Sequence, residues 1–170
     1  DTAPIDVALP FGPEVSDAGR ISRGPDGHHT DNASFPYDEA AFDFAQPTGT
    51  LIRAVADGEV VAFFDDAPES TVYGTPPQDE GPGRFGNWIT LRHTAEDGRH
   101  FFATYMHLAQ DAVDAARLRI GDQVTTGQVL GSVGLSGVTY GAHLHLQFAL
   151  ELREVTTTWQ GRSVDLVYAK

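Results

Sequence analysis

Two histidines one residue apart, His143-Leu144-His145, stand at the head of the apolar run Leu146-Gln-Phe-Ala-Leu150. Read as a β-strand, residues i and i+2 project from the same face, so both imidazoles point together while Leu144 turns the other way. Such a pair can ligate a metal or move a proton, and it can equally be two surface histidines; the neighbouring sequence favours chemistry. It follows Gly131-Ser-Val-Gly-Leu-Ser-Gly-Val-Thr-Tyr-Gly141, where four glycines in eleven residues let the backbone turn tightly and approach its neighbours. Asp43 lies in Ala41-Phe-Asp-Phe-Ala45 between two phenylalanines that alternate away from it. A carboxylate with apolar flanks requires a cation or several hydrogen-bond donors. A third histidine, His107, closes the β-like run Tyr105-Met-His-Leu108.

Composition narrows what can surround these groups. The chain has 170 residues, 41% hydrophobic and 21% charged, with no apolar run near the length of a membrane span, which reads as one globular domain over 1–170. The 24 acidic against 11 basic residues, net −13, supply no basic stripe for a nucleic-acid backbone. Zero cysteines exclude disulfides, thiolate metal sites and cysteine nucleophiles, so a metal here must be held by histidine and carboxylate. The single lysine, Lys170, is the last residue, which removes Schiff-base and P-loop chemistry from the body of the fold. The start at Asp1, without Met or an apolar stretch, suits a mature product or a trimmed chain.

Eighteen glycines and ten prolines punctuate runs of strand length: Leu51-Ile-Arg-Ala-Val55, Glu59-Val-Val-Ala-Phe-Phe64, Trp88-Ile-Thr-Leu-Arg-His93 and Phe101-Phe-Ala-Thr-Tyr105. A mostly β fold is expected, with hairpin turns at Asp57-Gly58 and Asp97-Gly98 and at most a helical turn within 109–117. Residues 65–86 collect Asp, Pro, Gly and Ser and read as a long surface loop, a functional border or a tolerated insertion.

In this order, Phe42-Asp-Phe-Ala-Gln-Pro-Thr-Gly-Thr50, Arg53-Ala-Val-Ala-Asp-Gly-Glu-Val60, Gly86-Asn-Trp-Ile-Thr-Leu-Arg-His93, Tyr105-Met-His-Leu108, Ile120-Gly-Asp-Gln-Val-Thr-Thr-Gly-Gln-Val-Leu-Gly131 and Gly141-Ala-His-Leu-His145 form an ordered set. This set, within a core of about 27–150, resembles the M23 zinc metallopeptidases of the lysostaphin and LasA type, which cut peptide bonds in bacterial peptidoglycan. The resemblance implies a barrel-sandwich-hybrid-like fold, an antiparallel sheet forming a narrow groove with Zn2+, one per chain, at its floor. It implies Asp43 and His145 as metal ligands and His107 and His143 as the catalytic pair. The common version of the family places a histidine four residues before the aspartate, where this chain has Glu39. The β-lytic and LasA branch places it further upstream, and His29 before Phe35-Pro-Tyr37 matches that arrangement, with His28 as rival and Glu39 as a possible substitute. That branch usually carries disulfides, which this chain lacks.

Two imidazoles and one carboxylate leave a tetrahedral zinc one open position, as a catalytic site requires. Imidazoles with unperturbed pKa near 6.5 suit proton transfer, and which of His107 and His143 is the base stays open. The expectation is a monomeric, secreted or periplasmic zinc endopeptidase acting on peptidoglycan stem peptides or cross-bridges. The alternative is an inactive M23-like module that binds and activates a cell-wall amidase. A lipoyl or biotinyl carrier, suggested by the turns of 120–131, is excluded by the lack of an internal lysine. His93 and His100 are expected to be structural or exposed, Tyr105 to pack or to face the cleft, and Tyr140 to stand in the loop before the histidine pair.

Overall fold

The computed structural model describes residues 4–25, 40–69, 86–159 and 162–169. His28, His29 and Glu39 lie outside them, as does residues 70–85 of the expected loop; residues 65–69 are irregular. The described elements are β1 (Ile21–Arg23), β2 (Ala41–Phe44), β3 (Leu51–Arg53), β4 (Gly58–Phe64), β5 (Asn87–Thr94), β6 (His100–Leu108), α1 (Ala112–Ala115), β7 (Gln123–Val124), β8 (Val129–Ser132), β9 (Leu144–Ala149), β10 (Leu152–Trp159) and β11 (Arg162–Ala169). A seven-stranded sheet runs β1-β2-β9-β6-β5-β4-β7, beside the pairs β3-β8 and β10-β11. Every one of these pairings is antiparallel, as the family resemblance implies.

Alternation sorts the large sheet into two faces. Leu144 and Leu146 on β9, Ala103 and Tyr105 on β6, and Ile89 and Leu91 on β5 join one core with Ile52, Leu130 and Val113. Each fully buried leucine contributes roughly 1.5–3 kcal/mol relative to exposure, which pins the register of its strand. On the other face runs a cross-strand row: Asp43 pairs with His145, His145 with Met106, Met106 with Trp88, and Trp88 with Phe64.

Asp97-Gly98 does turn β5 into β6: the Gly98 N–H donates to the Ala95 carbonyl at 2.9 Å, with Gly98 at φ 84°. Asp57-Gly58 does not close a hairpin, because β3 pairs with β8 while β4 pairs with β5 and β7. Asp57 bonds outward instead, accepting at Oδ1 from the Thr126 N–H and hydroxyl at 2.7 and 2.8 Å. The turn is thereby fastened to the β7–β8 connection, and its flanking runs separate into two sheets.

The helix of the described core is a single turn, α1. Its own N-cap residue, Asp111, makes no side-chain cap, and the orphan Asp114 N–H donates to Asp65 Oδ2 at 2.9 Å, a cap supplied from a distant segment. Burial, aided by the charges of Asp111 and Asp114, pushes the Asp65 carboxyl up to about 6 against the hydrogen bonds from Val113 and Asp114. The folded protein therefore holds a proton that the unfolded chain releases near pH 4, and this group's contribution to stability falls as pH rises from about 4 to about 6. Asp65→Asn keeps a carbonyl oxygen for the cap and removes the charge. It should unfold at a higher temperature than the parent at pH 7, by about 1 kcal/mol after solvent screening, with the difference vanishing near pH 4 in thermal melts.

Candidate active site

Asp43 and His145 lie directly opposite each other on β2 and β9, 102 residues apart in the chain. Asp43 Oδ1 is 2.9 Å from His145 Nδ1 and 3.5 Å from His143 Nε2. His143 precedes the first residue of β9, yet its ring converges on the same carboxylate. Ligand atoms of Asp43, His143 and His145 all fall within 4.8 Å of one another. Two ligands at the usual zinc distances on a tetrahedral ion stand about 3.3 Å apart, and the 2.9 Å between Asp43 Oδ1 and His145 Nδ1 lies near that spacing. Hard carboxylate oxygen with borderline imidazole nitrogen is also a donor set that zinc accepts. The residues present therefore fit the ion.

His107 arrives by a different route. Strict alternation after Tyr105 and Met106 would turn it into the core, but β6 carries a bulge there: Trp88 pairs with Met106 and Asn87 with Leu108, leaving His107 as the extra residue. Its φ is 63°, the left-handed region that a non-glycine residue seldom occupies. The bulge brings the ring to 4.7 Å from that of His143 and 6.0 Å from that of His145, centroid to centroid. The ring is buried, and burial together with the positive potential of His143 and His145 pushes its pKa down to about 3, against the Ser136 hydrogen bond and Asp43. His107 is neutral at neutral pH.

Both of these rings are tied at Nδ1 to the glycine-rich loop before β9. His107 Nδ1 donates to the Ser136 carbonyl at 2.9 Å, and His143 Nδ1 donates to the Gly141 carbonyl at 2.8 Å, with the Thr139 hydroxyl at 3.1 Å. These donations place the proton on Nδ1 of each ring and direct Nε2 to the other side. Spacing of histidines along the chain carries no sign of these acceptors, since every residue has a carbonyl.

The other expected residues are placed elsewhere. Tyr105 faces the core, fully buried, and its hydroxyl accepts from the Val55 N–H at 3.0 Å; this is the packing role, not the cleft-facing one. His93 is fully buried, donates from Nδ1 to the Asp57 carbonyl at 2.9 Å and stacks on Phe101 at 4.8 Å, a structural role. His100 is exposed beside Thr94. Tyr140, 81% exposed, stands three residues before His143.

Residues 38–165 match the model of peptidase family M23. A Haemophilus influenzae protein described as an uncharacterized metalloprotease is 34% identical over 66% of this chain and 19% of its own length. The peptidoglycan DD-endopeptidase ShyC of Vibrio cholerae is 30% identical over 62% of this chain and 19% of its own. A solved structure from Pseudomonas aeruginosa, described as an M23 peptidase, aligns with a TM-score of 0.51 at 25% identity, covering 85% of this chain and 44% of that one. The chain spans about a fifth of the length of the curated relatives it matches.

The left-handed conformation at His107 costs an L-residue of order 1–3 kcal/mol, a cost glycine does not bear. His107→Gly should therefore be about 1 kcal/mol more stable than His107→Ala in denaturant titration, the reverse of the usual order inside a strand, although both variants lose the ring.

Proposed function

The chain belongs to peptidase family M23, and from that membership and the convergence of Asp43, His143, His145 and His107 we propose a zinc-dependent endopeptidase that hydrolyses peptide bonds of bacterial peptidoglycan, in stem peptides or cross-bridges. The observation that carries this reading is the approach of both His143 and His145 to one carboxylate oxygen, with a neutral buried imidazole packed against them.

Asp43 and His145, with His29 as third ligand, would hold one Zn2+ per chain; His28 and Glu39 are the alternatives for the third place. Zinc bound there would supply Lewis acidity, lowering the pKa of a water and polarising a scissile carbonyl. His107 and His143 do the proton work. Their Nδ1 atoms are committed to backbone carbonyls, so each can accept or donate a proton only at Nε2. One takes the proton of the attacking water, and the other, protonated, donates to the oxyanion or the leaving amine. Asp43 supplies the negative charge that offsets the ion. The substrate places the action outside the cytoplasm, periplasmic or extracellular, with the protein working as a monomer.

Purified protein supplied with zinc should release new amino termini from isolated sacculi, and muropeptide analysis should identify the bond cut. Asp43→Ala should lose bound zinc, whereas His107→Ala should keep it and lose at least a hundredfold in turnover. Comparing zinc retention in His28→Ala and His29→Ala assigns the third ligand. A protein that binds zinc fully but leaves sacculi intact would favour the amidase-activating module instead.

A further inference from the structure

The Ser136 carbonyl that accepts from the His107 ring sits in a cluster of buried, hydrogen-bonded groups. The Ser136 hydroxyl donates to the Leu108 carbonyl at 2.6 Å and accepts from the Asn87 N–H at 2.8 Å. The Asn87 side chain donates to the carbonyls of Ala67 at 2.8 Å and Leu108 at 3.3 Å, and its Oδ1 accepts from the Ala67 N–H at 2.7 Å. Asn87 and Ser136 are both fully buried. Gly86, at φ 69°, lies so close to this serine that a Cβ there would meet the Ser136 carbonyl carbon and oxygen at 2.5 Å. On the other side of the bulge, the Gly134 N–H donates to the His107 carbonyl at 2.8 Å. The Glu69 carboxylate accepts from the N–H groups of Gln110 at 3.0 Å and Leu135 at 2.5 Å, which fastens the next residues of both segments.

We propose that Asn87 and Ser136 are positioning residues: they clasp the loop at 134–136 onto the β6 bulge so that the Ser136 carbonyl holds His107 as the Nδ1–H tautomer, with Nε2 presented to the site. The proposal rests on the reading of His107 as a proton-transfer group, but the tautomer it specifies is a property of the chain itself. Three features point the same way. The bulge leaves the His107 backbone strained, so its geometry must be imposed from outside. The acceptor that sets the tautomer is a backbone carbonyl, so it can be aimed only by fixing the loop that carries it. The fixing groups are polar side chains buried with their hydrogen bonds made, an arrangement that is costly to leave half-satisfied and therefore rigid once complete.

The test compares the parent, Ser136→Ala and Asn87→Asp, each zinc-loaded. Long-range proton–nitrogen NMR of the imidazoles, assigned by loss of signal in His107→Ala, should show a protonated Nδ1 and an unprotonated Nε2 for His107 in the parent. In Ser136→Ala this ring should become a mixture of tautomers. The rate of peptide release from labelled sacculi at saturating substrate should fall tenfold or more, while zinc content and half-saturating sacculus concentration stay within twofold. Asn87→Asp keeps an acceptor for the Ala67 N–H, loses the amide donors, and should move both readouts in the same direction; if Ser136→Ala does not fold, Asn87→Asp decides the matter by the same two readouts. An Nε2–H tautomer in the parent overturns the proposal, as does a folded variant that keeps both the parent tautomer and the parent rate. A tautomer shift in a protein whose parent leaves sacculi intact would uphold the clasp and remove the peptidase reading instead.

Discussion

Burial of Leu144 and Leu146 in the core is the constraint from which the site follows. Side chains alternate along an extended strand, so committing these two leucines to one face commits His145, between them, to the other. The same parity on β2 sends Phe44 into the core and Asp43 outward, and antiparallel pairing then sets Asp43 directly against His145. A one-residue slip of β2 against β9 would turn Phe44 out of the core and carry Asp43 away from His145. Folding energy and the placing of Asp43 against His145 are therefore secured by the same hydrophobic contacts.

Against that regular parity, His107 is an exception, and its exception has a cost. One residue too many in β6 forces a left-handed backbone, and the ring is drawn from water beside two other imidazoles. Neither term favours the fold. What offsets them is local: the Ser136 carbonyl accepts the ring proton, the Gly134 N–H satisfies the His107 carbonyl, and the loop that carries both is bonded to Asn87 and Leu108. Strain and desolvation are thus concentrated on one histidine, beside a carboxylate and two more imidazoles.

The chain belongs to peptidase family M23, and its geometry brings histidines and a carboxylate together in one place. With neither cysteine nor internal lysine, the chain builds this cluster from imidazole and carboxylate, with backbone carbonyls orienting two of the rings. Its surplus of acidic groups is in part structural as well: Asp65 caps α1 from a distance, Asp57 binds the β7–β8 connection, and Glu69 spans two loops, each by accepting from backbone N–H groups.

The strand runs, the turn at Asp97-Gly98, the single helical turn and the shared face of His143 and His145 were legible in the sequence, because each reflects a local preference of a few adjacent residues. The sequence also determined the inventory: histidine and carboxylate as the only candidate ligands. The separation of the runs flanking Asp57-Gly58 into two sheets was not legible, since the bonds of Asp57 to Thr126 reach 69 residues away. Only the tertiary structure decided that His107 turns towards the site and Tyr105 away from it. A bulge is a mismatch between two paired strands, and neither strand records it alone. Nor could spacing reveal Ser136 and Gly141 as the acceptors for the two rings, because a carbonyl is common to every residue and becomes particular only when folding brings one of them within 3 Å of an imidazole.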